Sequence, residues 1–235
     1  MIDSAALTAR LASVRDRVAR AAGRARRDPS SVRVVAVSKT FTAEHVRAAA
    51  AAGQLDFGEN KVQEGLQKIG QTAELQIKWH LVGHLQSNKA RKAGARFDVI
   101  HSVDGAALLG RLDEAAQSEG RTLELLVQVD LAGEATKHGA REDELASIFD
   151  EARGCRAARV VGLMLLPPAA DDPEQARPHF RALRAVRERL LAGGVDGSML
   201  HELSMGMSHD FEVAVEEGAT LVRVGTAIFG ERTYI

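Results

Sequence analysis

Short apolar runs alternate with stretches of helical periodicity along almost the whole chain. The runs are rich in valine, isoleucine and leucine, which is typical of strands buried on both faces of a parallel sheet. They predict eight strands, at 32–38, 55–58, 77–82, 99–102, 123–129, 160–166, 200–204 and 220–224. Between them, the helical period predicts helices at 43–52, 61–69, 89–95, 106–119, 143–153, 173–192 and 208–217.

Regular alternation of strands and helices without a linker favours a single α/β domain, residues 1–235, folded as a (β/α)8 TIM barrel. An open doubly wound sheet is the alternative, because periodicity does not show whether a sheet closes. An extra N-terminal helix is expected from four apolar residues at helical spacing, Leu7, Leu11, Val14 and Val18. The arginines of this segment would also suit a cleaved transit peptide, but Asp3 and Asp16 favour the amphipathic helix.

Composition and charge exclude several classes of protein. Hydrophobic residues make up 45% of the chain and charged residues 27%, as in ordinary globular proteins. The formal net charge of −1 gives no general attraction to nucleic acid or to an anionic membrane. The chain contains no run of about 18 apolar residues, the length needed to span a membrane. The single cysteine, Cys155, fits a reducing compartment. We therefore expect a cytoplasmic protein, and a monomer.

Lys39 directly follows the first predicted strand and precedes the next helical pattern. In parallel α/β folds, ligands bind at the carboxyl ends of the strands. A lysine held in such a pocket can lose its proton and attack a carbonyl carbon to form a Schiff base. The alternative is that Lys39 is simply the first solvated residue after a strand.

The last two strands end in short segments that contain small and hydroxyl-bearing residues: Ser204-Met205-Gly206 at the seventh, and Gly225-Thr226 at the eighth. Ser208 is expected to be the N-cap of the following helix. Such turns present backbone N–H groups to anions, and barrel phosphate sites often use the loops after strands seven and eight. The alternative is that these are ordinary turns. Together with Lys39 they describe a pocket for a phosphorylated aldehyde, which pyridoxal 5′-phosphate (PLP) would fit.

Arg223 alternates with Gly225 on the eighth strand, so its side chain would point into the same pocket. Beside the pyridine nitrogen of PLP an arginine can only donate, which leaves that nitrogen unprotonated and weakens the cofactor as an electron sink. A structural salt bridge at the barrel mouth is the alternative. Four histidines lie at strand ends but lack the spacing of metal ligands, and we expect core or rim roles for them: His80, His84, His101 and His201.

The chain resembles the PLP homeostasis proteins, which are relatives of the alanine racemase barrel domain. The resemblance spans nearly the whole chain, in VAVSKT (35–40), FGENKVQE (57–64), WHLVGHLQSNK (79–89), SVD (102–104), GLM (162–164), HELSMGMSHDFEVAVEEGAT (201–220) and VRVGTAIFGER (222–232). It implies a single barrel with PLP on Lys39 as a Schiff base, phosphate contacts near Ser204, Gly225 and Thr226, and Arg223 near the pyridine ring. The expected cofactor site comprises Lys39, Val37, Asn60, His80, Met164, Ser204, Met205, Gly206, Arg223, Gly225 and Thr226.

One segment, 128–139, departs from the family pattern, because Asp130 stands where we expect asparagine. Lys137 in the same segment matches a lysine that the family usually carries. It is a candidate second lysine for transferring the cofactor, and an exposed loop lysine is the alternative.

Three functions fit these features. The first is a carrier that buffers intracellular PLP and delivers it to PLP-dependent apo-enzymes, and the second is a PLP-dependent amino-acid racemase or lyase. The third is a barrel enzyme acting on a phosphorylated metabolite. Racemisation needs an acid or base on each face of the substrate; in the related racemases one is a tyrosine of an added β-domain. The sole tyrosine here, Tyr234, is the penultimate residue, so the carrier is favoured, although His80, His84 or Asp130 could substitute.

Overall fold

The computed structural model describes residues 2–131 and 138–231, and its eight strands form a closed barrel. The strands are β1 Arg33–Val37, β2 Asp56–Glu59, β3 Lys78–Leu81, β4 Val99–Val103, β5 Leu123–Gln128, β6 Ala158–Met164, β7 Glu202–Met207 and β8 Leu221–Val224. Each pairs in parallel with the next, and β8 pairs back onto β1. The predicted (β/α)8 barrel is therefore confirmed, and the alternative of an open sheet is wrong.

Helices cover the outside of the barrel. They are α1 Ser4–Arg24, α2 Ala43–Ala51, α3 Val62–Gln71, α4 Ala90–Gly94, α5 Ala106–Ser118, α6 Leu145–Gly154, α7 Arg177–Ala192, α8 Phe211–Glu216 and α9 Thr226–Phe229. The expected N-terminal helix is α1, whose apolar stripe is buried where it packs against α2, α8 and α9. Of the helices in the described part of the chain, none has the length and apolar character needed to cross a membrane.

Side-chain alternation along the strands separates two apolar layers. Val35 and Val37 of β1 point into the barrel, where they pack with Val82, Met164 and other buried side chains of the interior. Ala36 points outward to the larger core between the barrel and its helices. Because successive residues of a strand face opposite sides, Ser38 continues the outward series and Lys39 the inward one.

The seventh strand is longer than the sequence predicts. It runs through to Met207, so Met205 and Gly206, which were predicted to follow the strand, belong to it and the predicted loop there is wrong. The pairing with β8 shifts register between Ser204 and Met207, and Gly206 has a φ of +92°. A glycine in a strand pattern at such an irregularity resembles a turn when only the sequence is considered.

The segment after β7 also differs from the prediction. The next helix begins at Phe211 with Asp210 before it, so the predicted N-cap role of Ser208 is wrong. Ser208 lies instead in the loop between β7 and α8. One short helix, α9, follows β8 at a position where the apolar pattern predicts none.

Candidate functional site

A cavity of about 430 Å³ lies at the carboxyl ends of the barrel strands. Among the described residues it is lined by Val37, Lys39, Asn60, Val82, Gly83, His84, Leu166, Met207, Ser208, His209, Arg223, Gly225 and Thr226. A surface cleft beside Cys155 has a similar volume, about 440 Å³, so size alone does not identify a site. The convergence of several strand ends does, because ligands of barrels bind there.

Lys39 lines this cavity, as the inward series of β1 predicts. Its neighbour Thr40 has a φ of +71°, a left-handed conformation that is rare for a β-branched residue. This turn ends β1 and leads the chain towards α2. The lysine is therefore placed at the rim of the barrel by a regular strand on one side and an unusual turn on the other.

Arg223 lines the same cavity but is only 4% exposed. Its Nη1 donates to Ser204 Oγ at 2.6 Å and its Nη2 donates to the backbone oxygen of Leu165 at 2.9 Å. Burial lowers the pKa of Arg223 to about 10, partly offset by the charge of Asp210, so the guanidinium stays protonated at neutral pH. Among the described residues it forms no ion pair, which does not support the alternative of a salt bridge at the mouth.

From Arg223 an interior hydrogen-bond chain runs through the barrel by way of Ser204, His101 and His80 to Asp56. Ser204 Oγ lies 2.8 Å from His101 Nδ1, and His101 Nε2 lies 2.8 Å from His80 Nδ1. His80 Nε2 lies 2.9 Å from Asp56 Oδ1. The three central side chains are completely buried.

The donors at the two ends of the interior hydrogen-bond chain are fixed by chemistry. Arginine has no acceptor, so Ser204 Oγ accepts from Arg223. A carboxylate only accepts, so His80 donates from Nε2 to Asp56. Burial, followed by the charges of His80 and Arg223, holds the pKa of His101 well below its usual value. His101 is therefore neutral.

The turn after β8 is organised by Ser208. Its Oγ accepts from the backbone N–H of Gly225 at 3.0 Å and from that of Ala227 at 3.4 Å. Gly225 and Thr226 line the cavity as predicted, with Ser208 between them and the end of β7. The sequence prediction missed this role of Ser208, since nothing local shows that its hydroxyl would reach another strand.

The rim after β2 and β3 depends on a close approach of two backbones. A Cβ atom at Gly83 would overlap the backbone oxygen of Asn60. The absence of a side chain at Gly83 therefore allows Asn60 to reach the cavity. The apolar lining comes from Val37, Val82 and Leu166, which also belong to or pack against the interior layer.

His84 also lies at the rim, beside Asp104 and His138, and one ligand atom from each lies within 4.8 Å of the others. The rings of His84 and His138 are stacked, with centroids 3.4 Å apart and planes 9° from parallel. Ring lone pairs lie in the ring planes, and two planes so nearly parallel do not meet at one nearby point, as the lone pairs of metal ligands must. Burial and the charge of His138 lower the pKa of His84.

The structure brings together six of the eleven predicted cofactor residues: Val37, Lys39, Asn60, Arg223, Gly225 and Thr226. The other five do not line the cavity. His80 and Ser204 belong to the interior hydrogen-bond chain, and Met164 is fully buried in the interior layer. Met205 faces the outer core, and Gly206 packs closely against α8, since a Cβ there would lie 2.5 Å from Ala214 Cβ.

Several lining residues were not among the predicted cofactor residues: Val82, Gly83, His84, Leu166, Met207, Ser208 and His209. The signal that could have found Val82, Gly83 and Leu166 is their position at a strand end. Asp130 follows β5, and its N–H donates to the backbone oxygen of Ala140 at 2.9 Å. Lys137 and Tyr234 lie outside the described residues, so their predicted roles stay predictions.

Comparisons with known proteins agree along nearly the whole chain. The family described as "Alanine racemase, N-terminal domain" matches residues 2–233. The pyridoxal phosphate homeostasis protein of Aquifex aeolicus is 39% identical over 225 residues, which cover 96% of this chain and 98% of that protein. The protein of the same name from Pseudomonas aeruginosa is 43% identical over 225 residues, covering 95% of each.

Solved structures of similar proteins also match nearly the whole chain. PipY of Synechococcus elongatus is 40% identical, and the match covers 95% of this chain and all of that one. The TM-score is 0.86 for PipY without PLP and 0.84 for PipY with PLP bound. An alanine racemase of Clostridium difficile, 13% identical with a TM-score of 0.74, shares the fold. Its match covers 97% of this chain but 57% of the racemase.

Proposed function

The chain belongs to the family of the pyridoxal phosphate homeostasis proteins, and we propose that it binds PLP as a Schiff base with Lys39. The observation that carries the proposal is the chemistry of one cavity. It offers a primary amine from Lys39, a buried cation from Arg223 and a turn with two hydroxyl groups at Ser208 and Thr226. A phosphorylated aromatic aldehyde needs a group of each kind.

The donor set fits PLP group by group. Lys39 would hold the aldehyde carbon, and the turn of Gly225, Thr226 and Ser208 would hold the phosphate. Arg223 would face the pyridine nitrogen as a donor, with the apolar side chains of the lining against the ring. Bound PLP supplies an electrophilic carbon and an electron-withdrawing ring. A volume of about 430 Å³ lies within the ordinary range of small-molecule pockets.

We further propose that the protein is a carrier, which buffers PLP and delivers it to PLP-dependent apo-enzymes. Two features support this over a racemase or lyase. Arg223 can only donate to the pyridine nitrogen and so keeps it unprotonated, which disfavours carbanion chemistry that relies on a protonated ring. Of the three groups considered as a second base, His80 is held in the interior hydrogen-bond chain and Asp130 is not among the described lining residues. His84 alone of these three lines the cavity.

Deuterium exchange separates the carrier from the racemase. We expect that an amino acid incubated with the PLP-loaded protein in D2O gains no α-deuterium above the background of free PLP. Mass spectrometry of the recovered amino acid measures this. Exchange well above that background, lost in both Lys39→Ala and His84→Ala, would show that the protein is a racemase-like enzyme.

Delivery is tested with the apo-form of a PLP-dependent enzyme. The PLP-loaded protein should restore the activity of that enzyme faster than PLP dissociates spontaneously from the loaded protein after dilution. Recovery at the rate of spontaneous release would show that the protein buffers PLP but does not deliver it.

We also propose that the protein is a single domain spanning 1–235 that acts as a cytoplasmic monomer. Size-exclusion chromatography tests the oligomeric state, and cell fractionation tests the location.

A further inference from the structure

A buried charged cluster lies behind Lys39, on the outward side of β1. It consists of Lys68 from α3, Glu59 at the end of β2 and Glu64 from α3, and we refer to it as the Lys68 cluster. Lys68 is 4% exposed and Glu59 fully buried. Neither residue lines the mouth cavity, and the proposed chemistry does not use them.

The cluster contacts both chain neighbours of Lys39. Lys68 Nζ donates to the backbone oxygen of Ser38 at 2.7 Å, and also to Glu59 Oε1 at 2.7 Å and Glu64 Oε1 at 2.8 Å. Ser38 Oγ donates to Glu59 Oε1 at 2.6 Å. On the other side, the N–H of Thr40 donates to Glu64 Oε1 at 2.6 Å. All three donors of the Lys68 ammonium are therefore used.

The turn held by these contacts does not form readily on its own. Thr40 has a φ of +71°, and a β-branched residue in the left-handed region is strained unless its surroundings determine the conformation. The hydrogen bond from its N–H to Glu64 is one such determinant. Lys68 holds Glu64 in place by a hydrogen bond, and it also binds the backbone carbonyl of Ser38, two residues before Thr40.

Stability is a weak explanation for the Lys68 cluster. Taking a lysine and a carboxylate out of water costs about as much free energy as their attraction returns. Burial raises the pKa of Glu59 even though Lys68 and Ser38 lower it, and Glu59 Oε2 has no hydrogen-bond partner within the described residues. An apolar filling would pack the same space, so these charges point to a task beyond packing.

We propose that Lys68 is a positioning residue for Lys39: the Lys68 cluster holds the strained turn of Ser38 and Thr40 in the shape that presents the Lys39 amine to the cavity. This inference rests on the proposed function, since it concerns the same lysine. It explains why the support lies on α3 and the end of β2. The inward side of β1 must stay open for the ligand, so the turn can be braced only from the outward side.

The test uses two brace variants, which remove contacts of the Lys68 cluster with the turn. A further substitution, Thr40→Gly, relieves the backbone strain that these contacts hold in place. Lys68→Met combined with Glu59→Gln removes both buried charges together, and the new side-chain amide can still accept from Ser38. Glu64 is partly exposed, so Glu64→Ala removes the acceptor of the Thr40 N–H in a protein that should fold normally. Lys92→Met, at an exposed position on α4, is the control.

PLP affinity, measured by titrating the visible absorption band, should fall about tenfold in both brace variants, because the left-handed turn is no longer held. Adding Thr40→Gly to either variant should restore most of the affinity, since glycine adopts this conformation without strain. Lys92→Met should bind as the wild type does. Urea unfolding of each variant gives its stability separately.

Unchanged affinity in both brace variants would overturn the inference. A loss that Thr40→Gly does not restore would overturn it too, because a merely structural role predicts lower stability without specific rescue. If the wild type carries no pyridoxyl group on Lys39 after borohydride reduction, the proposed function fails instead. If the wild type is labelled on Lys39 and both brace variants bind PLP as the wild type does, only the positioning role is contradicted.

Discussion

Lys39 and Arg223 face one cavity because each takes an inward position on its strand. Val35 lies opposite Arg223 in the pairing of β1 with β8, and the inward series of β1 continues from Val35 to Lys39. This placement could be predicted from the sequence, since it requires only a short apolar run, the two-residue period of a strand and the end of the run. The same argument placed Gly225 two residues after Arg223.

The partners of Arg223 inside the barrel could not be predicted in this way. His80 and His101 are 21 residues apart, and His101 and Ser204 are 103 apart. Their hydrogen bonds depend on strand register and on how far each side chain reaches across the closed barrel. The sequence indicates polar residues near strand ends, but it does not show that three of them are buried and bonded to one another.

Replacing His101 by glutamine should change how stability depends on pH. His101 has a pKa well below 6.5 in the folded protein, so below about pH 6.5 the unfolded chain binds a proton that the folded one does not. The free energy of unfolding should therefore fall as the pH drops, by up to about 1.4 kcal/mol per unit from this group. In His101→Gln that contribution should be missing, which urea unfolding between pH 4.5 and 7.5, roughly the window set by the usual histidine pKa, measures. Parallel profiles for the two proteins would contradict the assignment.

The end of β7 is an element boundary that could not be predicted from the sequence. Glycine at 206 and serine at 208 suggest a turn running into a helix, yet the strand continues past both Ser204 and Gly206. A register shift against β8 accommodates the irregularity. As a result Ser208, in the loop after β7, lines the cavity, whereas Ser204, four positions earlier, does not.

Ser208→Ala tests whether the turn after β8 holds the phosphate. The change removes the acceptor for the N–H groups of Gly225 and Ala227, and each hydrogen bond is worth roughly 0.5–1.5 kcal/mol. We expect PLP affinity to fall several-fold while the affinity for pyridoxal, which has no phosphate, stays the same. Both are measured by absorbance titration, with the exposed Ser147→Ala on α6 as the control. Equal losses for the two ligands would place the phosphate elsewhere.

Gly83→Ala tests the close approach of the loops after β2 and β3. Its Cβ would overlap the backbone oxygen of Asn60, so one of the two loops must move. The free energy of unfolding should fall by roughly 1–3 kcal/mol, as expected for overpacking. Gly70→Ala is the matched control, because no atom lies within 4 Å of its added Cβ. In α3 it should leave stability unchanged or raise it by up to about 1 kcal/mol. Similar urea curves for the two variants would contradict this account of the rim.

For the molecule as a whole, eight alternating units were enough to predict the barrel, and the family resemblance agrees with the comparisons along the chain. Closure itself could not be predicted in this way, because periodicity does not show whether a sheet closes; it is shown by the pairing of β8 with β1. The cavity could not be predicted from the sequence, because five strand ends and the loop after β3 meet there only once the barrel is closed. Either function proposed for this chain, carrier or racemase, would use that cavity, so the groups around Lys39 must distinguish the two.

The attachment of PLP to Lys39 is tested most directly by borohydride reduction of the loaded protein followed by peptide mass mapping. The chain has seven lysines, so the adduct can be assigned to one of them. We expect a pyridoxyl group on Lys39, and in Lys39→Ala neither adduct nor visible band, with an unchanged circular dichroism spectrum. An adduct on another lysine of the wild type, or equal absorbance in Lys39→Ala, would contradict the proposed site.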